Sequence, residues 1–321
     1  MSEYIGNDKF FHQPEVNQYG SHMVMTNVML PSKGKYLNMD TRHGKQVGKG
    51  ANYNMVMPDR VDRVKSMKLT SAEIPITYYN ISSALNNNVF GIVIKENNSM
   101  CMVKIPDNNY TIAGLIDVIN STTQSVLSNN PDAQSALVDG NAVTLSYDAT
   151  SRKVTFSNSD LSDDLKIVFN VTQDCVVDTK DIKFKLGYLL GFRESSYDLP
   201  GSGTFTSEAF CNVSTPRYLY LVIDEFSNGN PSSFVTMLQD SQVSKSQILA
   251  KITIDQESYD TNVNKFGSIY FADEGAIISD TRVYTGPINL QRMNVQLVNE
   301  QGLIMNLNNM DFSFCLELTH E

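Results

Sequence analysis

Alternating apolar and polar residues predict a long strand near the end of the chain. Every second residue from 312 to 318 is apolar, beginning with Phe312 and Phe314, and the residues between them are small or polar. This period of two is typical of a strand with one buried face. The segment before it, residues 288–297, is also rich in apolar residues, and the turn sequence at 299–302 separates the two. The pattern predicts that the chain closes on a long antiparallel hairpin.

The first of these two strands contains a change of phase. Ile288 and Leu290 occupy even positions, whereas Met293 and Val295 occupy odd ones. Successive side chains of a strand point to opposite faces, so the apolar face cannot change its parity without an irregularity in pairing. The sequence therefore predicts a bulge near residues 291–292.

The same alternation elsewhere predicts a mainly β chain with few helices. Hairpins are predicted from 89–94 with 100–105 and from 143–147 with 153–157, and further strands at 165–171, 218–223, 248–254 and 267–271. Thr111 predicts a helix start as an N-cap, because apolar residues follow it at helical spacing. A second, short helix is predicted near 233–242. The order of elements indicates an antiparallel jelly-roll sandwich with a small helix-plus-hairpin insertion at 106–192.

Residues 1–60 are expected to form an extended N-terminal arm before a jelly-roll body at 61–321. Apolar residues are sparse there and lie among Gly, Asn, Gln and Lys, so the segment cannot bury enough surface to fold alone. Such a segment can instead lie along a neighbouring subunit. The predicted partner-binding residues are Phe10, Phe11, Val24, Met25, Met29, Leu30 and Arg42.

Charge argues against nucleic-acid binding by the body. The chain has a net charge of −10, and residues 61–321 carry thirty acidic against eighteen basic side chains. An acidic surface repels phosphate backbones. The segment 33–60 is mildly basic, with six basic and two acidic residues, and is expected to be solvated or bound to a partner.

The sequence offers few candidate catalytic or cofactor-binding residues. Three of the four histidines, at positions 12, 22 and 43, lie in the predicted arm, and the fourth, at position 320, is next to the C-terminus, so a histidine-based triad or metal site is not expected within the body. Neither GxxxxGK[ST] nor GxGxxG is present, so no nucleotide cofactor is expected. The four cysteines are widely spaced, as in a protein made in a reducing cytosol, and neither a secretory signal nor a membrane-spanning apolar run is recognised.

Two alternatives of other classes remain open at this point. The carboxylates of Asp224 with Glu225, or of Asp273 with Glu274, follow hydrophobic strands and could form a glycosidase pair, although polar residues in turns explain them as well. Four tyrosines could form a sugar-binding platform, although their place in strand patterns favours packing: Tyr78, Tyr79, Tyr218 and Tyr220.

Five segments taken in order resemble the minor capsid proteins of nucleocytoplasmic large DNA viruses, of the phycodnavirus and mimivirus type. They are residues 69–81 (LTSAEIPITYYNI), 105–120 (IPDNNYTIAGLIDVIN), 189–193 (LLGFR), 216–226 (PRYLYLVIDEF) and 284–295 (YTGPINLQRMNV). Together they span the region from 61 to 321, and residues 1–60 match none of the family's patterns.

The resemblance implies a non-enzymatic, single jelly-roll shell component that braces capsomers. Its partners would be the major capsid protein and other minor capsid proteins, and also further copies of itself. It would be made in the host cytoplasm and reside in the virion, with contact to an internal membrane left open. A penton protein at the five-fold vertex and a carbohydrate-binding jelly-roll module are the alternatives.

Overall fold

The structure, a computed structural model, describes residues 31–96, 98–131, 143–159, 164–174, 176–226, 247–254, 266–279 and 281–321. Strands dominate this part of the chain. They are β1 (Lys33–Asp40), β2 (Lys45–Gln46), β3 (Asn52–Pro75), β4 (Val89–Ile94), β5 (Ser99–Lys104), β6 (Val143–Asp148), β7 (Lys153–Asn158), β8 (Leu165–Val168), β9 (Ser196–Leu199), β10 (Thr204–Thr206), β11 (Tyr218–Asp224), β12 (Ile248–Thr253), β13 (Ile269–Ala272), β14 (Ile277–Ser279), β15 (Arg282–Asn299) and β16 (Ser313–His320).

Helices are few. The described residues contain α1 (Ile112–Asn129), the single-turn α2 (Leu186–Leu189) and the 3-10 turns Thr41–His43, Ser83–Leu85 and Ile182–Phe184. The prediction of a mainly β, antiparallel fold with a small helix is confirmed, and the curled sheets are consistent with a jelly-roll sandwich. The helix predicted near 233–242 lies outside the described residues.

The long strand β3 organises a nine-stranded sheet. The sheet has the order β1-β16-β3-β15-β11-β12-β14, and β2 and β13 also pair with β3. One edge of β3 pairs with β15 and then β13, and the other edge pairs with β2 and then β16. The strand at the end of this order, β14, also lies close to β3, where the Ser279 hydroxyl accepts a hydrogen bond from the Leu69 N–H. The sheet therefore curls round one core.

The predicted irregularity near residues 291–292 is confirmed. Leu290 is opposite Val61 and Arg292 is opposite Val56, so one residue of β15 faces four intervening residues of β3. Two consecutive side chains, Gln291 and Arg292, are exposed at this point, and the buried face changes parity across them. The surplus residues of β3 include Pro58, which has no N–H to donate to a neighbouring strand.

The predicted closing hairpin is wrong in its pairing, although its strands and turn exist. β15 ends at Asn299, whose carbonyl accepts a hydrogen bond from the Gly302 N–H. However, β15 and β16 pair with opposite edges of β3, so β3 lies between them. Alternation in a sequence reports which face a residue occupies, but it does not report which strand lies beside it.

A second module contains its own core. A four-stranded sheet of order β5-β4-β8-β9 and a three-stranded sheet of order β10-β7-β6 surround a cluster of buried residues between 81 and 213. Both predicted hairpins, β4 with β5 and β6 with β7, are present. Helix α1 begins as predicted, because the Thr111 hydroxyl accepts a hydrogen bond from the Gly114 N–H. Phenylalanine rings, among them Phe156 and Phe169, fill the centre.

The predicted domain limits do not coincide with the limits of these elements. The predicted arm ends at residue 60, but β1 and β2 are strands of the main sheet and β3 begins at Asn52. The predicted insertion covers 106–192, whereas the second core draws on residues from Ile81 to Val213. The division of the chain into an arm and a body therefore remains a proposal, and its arm is best restricted to residues that precede β1.

The buried aromatic face of β16 generates a stability prediction. Phe314 is 2 % exposed and belongs to the main core with Val295 and Leu297. Replacing Phe314 by Ala should lower the free energy of unfolding by about 3–5 kcal/mol, because the ring leaves a cavity. Phe271→Ala is the matched control, since that ring is 60 % exposed, and it should change stability by less than about 0.5 kcal/mol. Equal losses for both variants in denaturant unfolding would contradict the face assignment.

Candidate interaction surface

The first strand forms one edge of the main sheet. β1 pairs with β16 over its whole length, from Lys33 opposite His320 to Asp40 opposite Ser313, and no described strand pairs with its other edge. Its first residues are exposed, and the Tyr36 side chain is 70 % exposed. An exposed edge of this kind is a template for pairing with another chain.

Most of the predicted partner-binding residues precede this strand. Six of them lie outside the described residues: Phe10, Phe11, Val24, Met25, Met29 and Leu30. The seventh, Arg42, follows β1 directly, on the 3-10 turn Thr41–His43. Partner binding by all seven stays a prediction.

An open groove of about 270 Å³ lies beside the end of β1. We call it the carboxylate groove. Four strands contribute to it, since Asp40, Ser313, Glu73 and Phe271 stand directly opposite one another across β1, β16, β3 and β13. The residues that line it are Asp40, Arg42, Glu73, Pro75, Ile269, Met310, Asp311, Phe312 and Ser313.

Arg42 is held at the groove by Asp40. The Asp40 carboxylate accepts hydrogen bonds from the Arg42 backbone N–H at 3.0 Å and from the guanidinium Nε at 2.9 Å. The hydrogen bond from the Arg42 side chain is the main reason that the pKa of Asp40 lies below its usual value. The Arg42 side chain is 70 % exposed. Its charge is thus compensated, while its surface is open to a partner.

The other two carboxylates are fixed by hydroxyl groups. The Thr41 hydroxyl donates to Asp311 at 3.1 Å and accepts from the Phe312 N–H at 2.9 Å. The Ser313 hydroxyl donates to Glu73 at 2.7 Å. Within the described part of the chain neither Glu73 nor Asp311 forms an ion pair. The groove therefore carries two carboxylates that form no ion pair with those residues. The Arg42 guanidinium, which is paired with Asp40, lines the same groove and interacts with the charge of Asp311.

The groove also presents apolar surface. Ile269 is 69 % exposed and Met310 is 50 % exposed, and Phe271 stands beside Glu73 with 60 % of its surface exposed. Apolar patches that are rimmed by polar residues are typical of protein–protein contact sites. Arg42 could be singled out from the sequence but these three side chains could not, since they are over 200 residues away from it in the chain and carry no motif.

The candidate glycosidase carboxylates serve the fold. Glu225 is buried and accepts a hydrogen bond at 2.8 Å from Arg282, which is fully buried. The same guanidinium donates to the carbonyls of Ile223 at 3.0 Å and Gln247 at 2.8 Å. We call this arrangement the arginine clamp. Burial, reinforced by the charge of Glu225, raises the pKa of the neighbouring Tyr284.

The remaining carboxylates of those pairs lie in turns. Asp224 accepts from the Phe226 N–H at 2.8 Å, and Asp273 accepts from the Gly275 N–H at 3.0 Å. These contacts are the usual Asx-turn bonds of connecting segments. Glu274 is exposed in the turn between β13 and β14. The geometry offers no acid–base pair at these positions, because Glu225 is committed to Arg282.

The four tyrosines considered as a sugar platform pack against protein. Tyr78 and Tyr220 are 1 % and 4 % exposed, and Tyr79 stacks on Phe266 with a centroid distance of 6.0 Å. Tyr218 lies under the Lys251 ammonium, 4.1 Å from the ring centroid, and burial raises its pKa to about 12. Tyr78 and Tyr79 line a common pocket of about 110 Å³, whereas neither Tyr218 nor Tyr220 contributes to it, so the four rings do not form one platform.

Metal binding and membrane insertion are two further possibilities for the described residues. No group of three or more His, Cys, Asp or Glu residues is arranged to hold a metal ion among the described residues. No helix in those ranges is both long and apolar enough to cross a membrane.

The first two of the segments that resemble capsid proteins, 69–81 and 105–120, meet at a buried junction between the two modules. The Asn80 side chain donates to the carbonyls of Tyr110 at 2.8 Å and Val213 at 3.1 Å, and it accepts from the Tyr110 N–H at 2.9 Å. Asn80 therefore joins the end of segment 69–81 to segment 105–120 and to Val213, which precedes β11 in the chain. The resemblance lies in residues that build the fold rather than in a chemical site.

Comparison with known proteins finds similarity in structure but not in sequence. No family model and no curated protein matches the chain. The mavirus penton protein, in its selenomethionine-labelled crystal structure, superposes with a TM-score of 0.45 and 10 % identity, covering 90 % of this chain and 100 % of the penton chain. A chain of the cryo-EM structure of the Sputnik virophage superposes with a TM-score of 0.38 and 13 % identity, covering 91 % of this chain and 98 % of the virophage chain.

The arginine clamp generates a second stability prediction. Glu225→Gln should lower the free energy of unfolding by about 3–5 kcal/mol, because it leaves the buried charge of Arg282 unpaired. The double variant Glu225→Leu with Arg282→Met should lose less than Glu225→Leu alone or Arg282→Met alone, since it removes both charges together. Denaturant midpoints of the double variant and of these two single variants measure this coupling. Additive losses would show that the two side chains do not depend on each other.

Proposed function

We propose that this protein is a structural component of a large icosahedral viral capsid. Within that role we favour a minor capsid protein that braces capsomers through residues near its N-terminus. Its partners would be the major capsid protein and other minor capsid proteins, and its location the virion, after synthesis in the host cytoplasm. Neither catalysis nor a cofactor belongs to this role.

The observation that carries the proposal is the edge strand β1. Thirty-two residues precede it, and they lead into a strand with one unpaired edge among the described elements and with exposed side chains at its start. The predicted partner-binding side chains are concentrated in that preceding segment and at Arg42, at the far end of β1. A chain that enters its sheet in this way is suited to extending onto a neighbouring subunit.

Two further observations support a structural rather than an enzymatic role. The candidate catalytic carboxylate Glu225 is used by the arginine clamp, and the segments that resemble capsid proteins build the two cores and their junction. Because both TM-scores lie below 0.5, the proposal does not rest on the structural similarities to the virophage proteins.

The penton of the five-fold vertex is the second candidate. The mavirus protein in the comparison is a penton by its description. A penton and a bracing protein differ in what they require of the N-terminal segment, since a vertex plug needs little beyond the jelly roll. The two roles are thus separable by removing that segment.

Deletion of residues 1–30 tests the bracing role. A cut at residue 60 would remove β1 and interrupt β3, whereas a cut at residue 30 keeps every described strand. The shortened protein should unfold at an unchanged temperature and should no longer enter particles, because its contacts with neighbours are lost. Quantifying the protein in purified virions, relative to the major capsid protein, measures the effect.

A matched control keeps the segment but removes its apolar contacts. One variant replaces the predicted partner-binding residues of the segment by serine, and it should reduce incorporation as the deletion does: Phe10, Phe11, Val24, Met25, Met29 and Leu30. A second variant, in which six polar residues of the same segment are replaced, should enter particles normally. Normal incorporation of the shortened protein would exclude bracing. If particle reconstructions then showed it at the five-fold vertices, the penton assignment would replace it.

A further inference from the structure

We propose that the carboxylate groove accepts residues 45–49 of a second copy of this chain, that is, the short strand β2 and the turn that follows it. We call this segment the two-lysine loop. The inference deepens the proposed function and rests on it in treating the chain as an assembly subunit. It names a self-contact that needs none of residues 1–30.

The groove is suited to a partner that is both cationic and apolar. Glu73 and Asp311 are held by hydroxyl donors and carry charges that no described residue neutralises by an ion pair. Ile269 and Met310 expose apolar surface beside them. At about 270 Å³ the groove is smaller than most small-molecule sites, so side chains of a protein partner fit its size better.

The two-lysine loop has the complementary composition. It reads Lys-Gln-Val-Gly-Lys, all five residues are exposed, and Val47 is 38 % exposed between the two lysines. Neither Lys45 nor Lys49 forms an ion pair with a residue in the described ranges. Two positive charges and one aliphatic side chain in the loop thus match two negative charges and an apolar wall in the groove.

The loop is also held in one conformation before it meets a partner. The Val47 N–H donates to the Asn52 carbonyl at 2.8 Å, and the Gln46 side chain donates to the Gly50 carbonyl at 2.9 Å. Gly48 and Gly50 adopt φ angles of +72° and +79°, which favour glycine. A preorganised loop loses little conformational freedom on docking.

Loop and groove consist of different residues of one chain, so the contact is a head-to-tail one unless two copies exchange it reciprocally. Reciprocal exchange gives a two-fold pair, and repeated head-to-tail contact gives a closed ring or an open chain. All of these products are larger than the monomer. Self-association in solution is therefore the common consequence.

Charge reversal on each side tests the contact. The loop variant carries Lys45→Glu with Lys49→Glu, and the groove variant carries Glu73→Lys with Asp311→Lys, so that each surface reverses both of its charges. Sedimentation velocity should show that the unchanged protein self-associates, more strongly at about 0.1 M than at about 1 M salt, because salt screens exposed charges. Each variant alone should self-associate at least about tenfold more weakly.

The decisive measurement is the mixture of the two variants. The reversed loop of the first faces the reversed groove of the second, and the unchanged loop of the second faces the unchanged groove of the first. Both contacts are then attractive, so the mixture should form heteromeric complexes although neither variant associates alone. Failure of the mixture to associate would overturn the proposal, as would a parent protein that stays monomeric up to its solubility limit.

Control variants carry the same charge changes elsewhere. Lys104→Glu with Lys180→Glu and, separately, Glu96→Lys with Asp174→Lys alter exposed residues of the second module and should leave self-association unchanged. Equal weakening by these controls would show a general charge effect and refute a docked loop. If a reversed variant does not fold, Glu73→Gln and Lys49→Gln provide neutral replacements that should weaken association less.

The self-association test and the particle-incorporation test can fail independently of each other. The chain without residues 1–30 keeps both loop and groove, so it should self-associate as the full chain does even where it fails to enter particles. Another virion protein that binds the groove in a Glu73-dependent manner, without self-association of this chain, would assign the groove to that partner and overturn the self-contact.

Discussion

Pairing along both edges of β3 is the constraint on which the main sheet depends. This one strand of 24 residues pairs directly with β2, β13, β15 and β16, and the other strands of the sheet attach through them. Its buried side chains, such as Val64, Met67 and Ile74, all face the core. A slip of one residue would turn these side chains outward. The register shifts against β15 and β16 therefore let β3 pair along both edges while the same face stays buried. The bend of the sheet follows from the same irregularities.

Local features of the fold could be predicted from the sequence, whereas neighbours in space could not. The capping of α1, two hairpins and the change of parity near residue 291 each depend on residues close in the chain. The pairing of β15 and β16 was predicted wrongly, because a turn between two strands suggests adjacency and nothing nearby reveals that β3 lies between them. Pairs separated by more than 200 residues leave no local pattern.

The candidate surface shows the same division. Arg42 could be singled out as a cation in a polar segment, but the groove unites it with Glu73, Ile269 and Asp311, which no spacing connects. The arginine clamp was missed for a different reason. The sequence does not distinguish a buried arginine from an exposed one, and Arg282 follows residues typical of a turn. Its burial depends on Glu225 and two carbonyls that come from distant positions.

The arginine clamp holds the chain on both sides of residues 227–246, at Glu225 and at Gln247. Both attachments end on Arg282, the first residue of β15, so one buried side chain joins the end of β11 and the start of β12 to a third strand. These three strands come from separate parts of the chain. A substitution at this position would therefore loosen two strand ends at the same time, and we expect the three strands to open as one cooperative unit.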